Sequence, residues 1–267
     1  MKKGIEQAQL ELLKDINEAI NNGKPLNEVL QTAVDGVRII FNYIVCDIFL
    51  LEDNSLRLVG LGVDHRLKET IEKLVKIEIK DFKFPLFEGS RLNQILESES
   101  PITFDKDLSI FEEFTDNENL KKFIPAVIKI VGFKKVIGVP LVSNEKVLGM
   151  LGAATKNEVS EEDIGAIKLF SSHLAMVIER KQAEDGLKRS EERFRILSEG
   201  SLAGIYIIQE GKFSYVNPAV SMMFGYNSDD IIDNLGPLDL THPDDHSMVS
   251  AQIHNRLESG EESRRFI

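Results

Sequence analysis

Two widely separated segments of the chain each contain a pair of apolar runs around a short polar turn. Residues 43–63 read YIVCDIFLLEDNSLRLVGLGV and turn at EDNS, and residues 134–155 read KKVIGVPLVSNEKVLGMLGAAT and turn at SNEK. Runs that are rich in β-branched residues and flank such a turn predict antiparallel strand pairs. Because the strands come as hairpins rather than singly between helices, the pattern favours an α+β fold, in which helices cover an antiparallel sheet, over a doubly wound parallel sheet.

Helical spacing of apolar residues is found in four other segments, at 5–20, 26–41, 119–131 and from Ser160 onward. Ser160 and Asp163 have the spacing of a capping box, in which each side chain satisfies a free backbone amide in the first turn of a helix. We therefore predict a long helix that begins at Ser160.

Residues 181–197 keep only a narrow apolar seam among charges of both signs. The seam has a spacing of about 3.5 residues and comprises Ala183, Leu187, Phe194 and Leu197. A narrow seam with mixed charges on its flanks is typical of a two-stranded coiled coil. We therefore expect a helical, coiled-coil-like linker at 181–197 and a homodimer formed through residues 160–197, although Gly186 allows a break in the helix.

The composition excludes several classes of protein. The chain has 267 residues and a net charge of −12, and its basic residues form no block, so we do not expect nucleic acid as a partner. No window approaches the roughly 18 apolar residues of a membrane-spanning helix, so we expect no membrane insertion and a cytoplasmic location. Cys46 is the only cysteine, which excludes an internal disulfide and a multi-cysteine metal site.

The part of the chain before residue 180 resembles a GAF domain. The resemblance is carried by FPLFEGSRLNQILESESPI at 84–102, by the second hairpin at 134–155, and by VSEEDIGAIKLFSSHLAMVIER at 159–180. It implies a GAF domain at 1–180, including the N-terminal helix, with a sheet whose concave face holds a small ligand or a packed core. The ligand-pocket residues that we assign are apolar side chains of the middle segment: Phe84, Phe87, Phe104, Phe111, Phe114, Leu120 and Ile124.

From Ser190 onward the chain resembles the opening of a PAS domain. The resemblance is carried by SEERFRILSEGSLAGIYIIQEGKFSYVNPAVSMMFGYNSDDII at 190–232 and by LTHPDDH at 240–246. It implies a small α/β domain at 198–267, which we expect to be truncated because only two strands and RRFI, the onset of a third, are present. The pocket residues that we assign there are Val216, Met222, Met223, Phe224 and Tyr226.

The sequence requires no cofactor, and haem, flavin and bilin are disfavoured. Cys46 lies within an apolar strand, as a buried hydrophobic residue does, and not as a bilin or haem attachment point. The PAS-like part has no cysteine for a flavin adduct, and neither His246 nor His254 falls where the family places a haem ligand. Cyclic nucleotide is disfavoured as well, because TKNEVSEED at 155–163 departs from the Asn-Lys and Phe positions of the GAF domains that bind it.

We therefore expect a signalling protein without catalytic activity. Its GAF and PAS modules would sense a small ligand or transmit a conformational change through a dimeric helix to a downstream kinase or other output domain. The alternative is the input region of a sensor histidine kinase, in a two-component phosphorelay, whose catalytic domain lies outside this chain. His173 lacks the acid and the proline that follow a phosphoacceptor histidine.

A metal-dependent hydrolase is a third hypothesis, because THPDDH at 241–246 concentrates histidines and aspartates. The same residues also fit the start of a helix. Pro243 suits the first helical position, His242 precedes it as N-cap, and Asp244 and Asp245 lie in the first turn, where the helix dipole favours carboxylates. We therefore predict a helix start with no metal at this segment.

Overall fold

The computed structural model describes residues 2–79, 82–98, 100–106, 112–113 and 117–259. The chain divides into two compact units, Met1–Glu184 and Asp185–Ile267. No helix in the described ranges is long and apolar enough to span a membrane.

Among the described residues, the first unit contains a six-stranded antiparallel sheet in the order β3-β2-β1-β6-β5-β4. The strands are β1 Val45–Glu52, β2 Ser55–Val63, β3 Lys83–Pro85, β4 Ile102–Asp105, β5 Lys135–Ser143 and β6 Lys146–Thr155. Each predicted hairpin forms, one as β1–β2 and the other as β5–β6, and the two meet at the centre of the sheet, where β1 pairs with β6. The predicted α+β fold is confirmed.

Helices cover both faces of this sheet. The bounds of the helices are α1 Lys2–Asn21, α2 Leu26–Ile40, α3 His65–Val75, α4 Arg91–Glu97, α5 Glu118–Lys121, α6 Ile124–Val131 and α7 Glu161–Glu199. Residues of α1, α2 and α7 share the largest apolar core with one face, whereas α3, α4 and α6 contribute to two smaller cores on the other. The close approach of α2 needs Gly62, because a side chain there would collide with the backbone of Val34.

Two helices differ from the sequence-based prediction. The helix predicted at 119–131 is divided into α5 and α6, since Pro125 lies in the first turn of α6 and its ring cannot continue an earlier helical turn. Helix α3 was not predicted. It is capped by Asp64, whose carboxylate accepts hydrogen bonds from the amides of Arg66 and Leu67.

Helix α7 begins with the predicted capping box. The Asp163 amide donates to Ser160 Oγ at 3.1 Å, and the Ser160 amide donates to Asp163 Oδ2 at 3.0 Å. The helix runs through Gly186 without a break.

The second unit contains a β-hairpin and short helices. Its elements are β7 Tyr206–Gln209, β8 Lys212–Val216, α8 Pro218–Phe224, α9 Ser228–Ile231, 3₁₀ turns at Pro237–Leu240 and Pro243–Asp245, and α10 His246–Ser259. Its core consists of Phe213, Val216, Val220 and Ile231. The segment RRFI, which we interpret as the onset of a third strand, lies outside the described residues.

A buried asparagine organises the start of the second unit. The side chain of Asn217 donates to the carbonyls of Ser198, at 2.8 Å, and Ala203, at 3.0 Å. It also accepts from the amides of Ile205 and Val220. The last turn of α7 is therefore hydrogen-bonded to the residue that follows β8.

Candidate functional site

A cavity of about 190 Å³ lies in the first unit, bounded by α3, β3, α5 and α6. The residues that line it are all apolar: Ile71, Val75, Ile77, Ile79, Phe82, Phe84, Leu120, Phe123, Ile124, Val127 and Ile128. An apolar cavity of roughly 150 Å³ holds a molecule of benzene. This cavity therefore has room for a small apolar molecule. It is named the large cavity to distinguish it from a smaller one beside it.

The structure brings together some of the pocket residues assigned from the sequence. Phe84, Leu120 and Ile124 line the large cavity, whereas Phe87 and Phe104 do not. Phe87 is 46% exposed, and the guanidinium of Arg91 lies over the ring of Phe104, 5.8 Å from the ring centroid. Phe111 and Phe114 lie outside the described residues.

Sequence reasoning missed the wall of the large cavity that α3 provides together with Ile77, Ile79 and Phe82. Helix α3 carries many charged residues, so its buried side is narrow. The signal that could have revealed it is the spacing of Leu67, Ile71 and Val75, which places one apolar residue on the same helix face at every turn.

A second cavity of about 60 Å³ lies between α4 and the centre of the sheet. This small cavity is lined by Asp47, Phe49, Leu92, Ile95, Val136, Ile137, Met150, Gly152, Ala153 and Ala154. The rings of Phe49, in the small cavity, and Phe84, in the large one, pack edge to face with centroids 5.4 Å apart. The two cavities therefore share this pair of rings as a wall, on the same face of the sheet.

Asp47 is the one ionisable residue in the described lining of the small cavity. Burial raises the pKa of its carboxyl from 3.8 to about 7, and the backbone amide of Gly152 lowers it by a smaller amount. The residue as a whole is only partly exposed, and its Oδ1 atom is fully buried. Sequence reasoning missed Asp47, although an acidic residue in the middle of an apolar strand is itself unusual.

Cys46 lies on the opposite face of β1 from both cavities. It is buried in the core formed with α1, α2 and α7, together with Ile48 and Leu50. Burial and the neighbouring carboxyl of Asp47 raise the pKa of its thiol. The position of Cys46 therefore agrees with its interpretation as a small buried residue.

The second unit has a cavity of its own, of about 240 Å³. It is lined by Tyr206, Ile208, Phe213, Val220, Phe224, Pro237, Leu240, Thr241, Val249, Gln252 and Ile253. Of the residues assigned from the sequence, Phe224 lines this cavity and Val216 belongs to the core of the unit. Met222, Met223 and Tyr226 are exposed and lie outside the lining.

The segment THPDDH forms the start of the last helix. The Asp244 amide donates to Nδ1 of His242 at 3.4 Å, as expected of an N-cap, and Pro243 opens the 3₁₀ turn that leads into α10. A ring nitrogen of His246 lies 3.1 Å from the carbonyl oxygen of Thr241. No group of three or more His, Cys, Asp or Glu side chains is placed to hold a metal ion in the part of the chain that the structure describes.

Comparison with known proteins gives two family matches. A model described as "GAF domain" matches residues 25–178, and one described as "PAS fold" matches residues 192–266. No significantly similar protein was found among curated proteins.

Similar solved structures include three GAF domains. The phycoerythrobilin-bound GAF domain of a cyanobacterial phytochrome is 14% identical, with a TM-score of 0.48, over 66% of this chain and 97% of that one. The GAF domain of the Acinetobacter phosphoenolpyruvate-protein phosphotransferase is 20% identical, with a TM-score of 0.46, over 66% and 95%. Its counterpart from Coxiella burnetii is 18% identical, with a TM-score of 0.46, over 67% and 98%.

Proposed function

The chain belongs to the GAF domain family and carries a PAS fold after its GAF domain, and we propose that it is a sensory protein whose GAF domain binds a small molecule. The observation that carries this proposal is the large cavity, which is apolar throughout its described lining. Apolar concave sites of this kind are where proteins bind small molecules, and aromatic walls such as Phe82, Phe84 and Phe123 suit a planar or hydrophobic ligand. Binding, and not catalysis, is the activity that we assign to this chain.

Mass spectrometry of small molecules that stay bound through native purification tests this proposal. Val127 lines the large cavity, and Ile130, on the same helix, is exposed. Val127→Trp should fill the cavity and abolish retention, whereas the matched control Ile130→Trp should retain what the wild type retains. The same molecules in all three proteins would contradict binding at this cavity.

We further propose that the GAF domain passes the bound state to helix α7 through the β5–β6 hairpin. Strands β5 and β6 form one wall of the small cavity, and the turn between them is tied to the helix. Ser143 Oγ donates to Glu179 Oε2 at 2.6 Å, and Asn144 Nδ2 donates to the same oxygen at 2.8 Å. A shift of the hairpin therefore moves a hydrogen-bonded contact on a helix, which is a rigid element.

Hydrogen exchange tests this route once a retained ligand is known. Removing the ligand should change amide protection in α7 near Glu179 in the wild type. Glu179→Ala should abolish that change and leave ligand retention intact. Equal changes in both proteins would show that this contact does not transmit the bound state.

We also propose that α7 forms a parallel homodimer. The predicted seam residues Leu187 and Leu197 are 63% and 75% exposed. Two further exposed residues, Leu169 and Met176, lie seven residues apart on the same helix and in register with Ala183. Apolar residues that recur every seven positions and face solvent favour a helical partner.

Sedimentation at several concentrations tests the dimer. Leu187→Glu places a charge on the seam and should yield monomer, whereas Lys188→Glu changes the adjacent, exposed position and should not. A monomeric wild type at high concentration would contradict the proposal.

The input region of a sensor histidine kinase is a second candidate, favoured by the order GAF domain, long helix and PAS fold along one chain. On either proposal the chain has no kinase activity of its own. Incubation with labelled ATP should therefore leave it unlabelled, and autophosphorylation would contradict both proposals.

A further inference from the structure

Asp47 places a carboxyl group on the cavity side of the sheet. Side chains alternate along a strand, so Asp47 shares a face with Phe49, opposite Cys46 and Ile48. Asp47 pairs with Gly152 on β6, and a side chain at position 152 would collide with Asp47 Oδ1. The carboxyl group therefore packs directly against the backbone of Gly152, in space that a glycine leaves open.

Asp47 Oδ1 is buried and accepts no hydrogen bond of normal geometry from a described residue, although the backbone amide of Gly152 lies close enough to lower the pKa of the carboxyl group. Buried polar groups are nearly always hydrogen-bonded, and the carboxyl group of Asp47 lines a cavity in which a bound molecule can supply a donor. The rise in the pKa of this carboxyl has burial as its main cause. A carboxyl group in apolar surroundings interacts favourably with a hydrogen-bond donor, and most strongly with a positively charged one.

We propose that the ligand of the GAF domain has an apolar body and one terminal nitrogen, as a primary amine or an amidine, which donates a hydrogen bond to the carboxyl group of Asp47. This inference rests on the proposed binding of a small molecule by the GAF domain. Since roughly 150 Å³ accommodates benzene, the small cavity of about 60 Å³ accommodates about two or three non-hydrogen atoms, which is the size of such a nitrogen-bearing end.

The apolar body fits the large cavity. Phe49 and Phe84 form the shared wall, so a ligand that occupies both cavities moves this pair of rings. Phe49 lies on β1, which also pairs with β6. Ligand binding would therefore act directly on β1, the strand that pairs with β6 of the β5–β6 hairpin.

Two other ligand classes fit the small cavity less well. A carboxylate or phosphate would bring a second negative charge next to Asp47 in apolar surroundings, which is unfavourable. A metal ion takes several oxygen or nitrogen ligands, and the described lining of this cavity supplies one carboxyl group.

The test uses four probes that share one benzene ring and differ in a single group: benzylamine, benzyl alcohol, benzoate and toluene. Each is titrated into the full chain at about pH 8, where a carboxyl with a pKa near 7 is mainly ionised. Binding is followed by the methyl NMR signals of Met150 and Ile95, which line the small cavity, and of Val127, which lines the large one.

We expect the wild type to bind benzylamine about ten- to a hundredfold more tightly than toluene, as for a hydrogen bond to a charged group. Asp47→Asn should reduce this preference to within about threefold and leave the affinity for toluene unchanged. Asp15→Asn, an exposed change on α1, is the matched control and should keep the full preference. If Asp47→Asn fails to fold, the ¹³C shift of the Asp47 carboxyl in the wild type decides, because benzylamine must change it and toluene must not.

The outcomes separate this inference from the proposed function. Equal affinity for benzylamine and toluene would overturn the inference, and toluene binding at Val127 would still support a small-molecule site. Tighter binding of benzoate than of benzylamine would overturn the inference as well. Binding of no probe would also overturn the inference. The proposed function would then depend on the comparison of molecules retained by the wild type and by Val127→Trp during purification.

Discussion

Replacing Asp47 with asparagine should remove much of the pH dependence of the stability of the GAF domain. The pKa of Asp47 is about 7 in the folded chain, against an ordinary value of 3.8. Because the folded value is the higher one, the folded state binds the proton more tightly than the unfolded state does between these values. The contribution of the protonated Asp47 carboxyl to the free energy of unfolding is therefore complete below about pH 4. It is lost as the pH rises through about 7.

The size of the effect follows from the two pKa values. They differ by about three units, and each unit corresponds to about 1.4 kcal/mol, so ionisation of Asp47 destabilises the folded state by about 4 kcal/mol. About 3 kcal/mol of this is lost between about pH 5 and pH 8. Asparagine has nearly the same shape and cannot ionise, so the variant should gain about 3 kcal/mol relative to the wild type over that interval.

Urea unfolding at a series of pH values measures this difference. The methyl NMR signals of Ile48 and Leu151 report on the GAF domain alone, since both residues are fully buried in its largest core. Asp15→Asn is the control for the loss of one carboxylate from the surface. Its unfolding free energy should change with pH as that of the wild type does, since the substitution lies at an exposed position.

The comparison of the wild type with Asp47→Asn isolates Asp47, because these two proteins share every other titrating group. Parallel curves of unfolding free energy against pH for the wild type and Asp47→Asn would refute the reasoning, since they would mean that the carboxyl ionises as easily in the folded state as in the unfolded state. A variant that is less stable than the wild type by a constant amount at every pH is one form of this result.

Three further substitutions test the contacts described above. Gly152→Ala should destabilise the GAF domain by about 1–3 kcal/mol, because the added methyl group collides with Asp47 Oδ1. Thermal unfolding should show that the second substitution Asp47→Ala restores most of the lost stability. Additive losses of stability in the double variant would argue against the contact. Asn217→Ala should destabilise the second unit by about 2–4 kcal/mol, because its buried side chain makes four hydrogen bonds; unchanged amide exchange in the β7–β8 hairpin would contradict this. Ser143→Ala should lower the unfolding free energy by about 1 kcal/mol through the lost bond to Glu179, and chemical denaturation showing no loss would mean that this bond adds nothing to stability.

The elements that could be predicted from the sequence depend on neighbouring residues. The turns at Asn54 and Asn144 each join two strands within a few positions, and the capping box at Ser160 joins residues three apart. Such signals are visible in a short window because the interacting groups are close in the sequence. The helical spacing around Ile124 was also visible, although Pro125 divided the predicted helix in two.

The lining of the cavities could be predicted only in part. Phe84 and Ile124 were assigned because they lie in an apolar stretch, but so does Phe87, which faces solvent. Apolar composition does not distinguish a residue at a cavity wall from one on the surface of a loop. That distinction depends on which elements pack together, and the amphipathic pattern of α3 does not by itself name its partner.

The sequence by itself determined the two hairpins, the helix that begins at Ser160 and the GAF and PAS resemblance. These features depend on hydrogen bonds and apolar periodicity among residues that are close together in the sequence. Only the tertiary structure decided that Asp47 is buried against Gly152, which is more than one hundred positions away in the chain. The pairing of β1 with β6 brings the two residues together, and α4 closes the space above them. The raised pKa and the absence of a described partner for Oδ1 are consequences of that enclosure. The presence of an aspartate in an apolar strand does not by itself predict either of them.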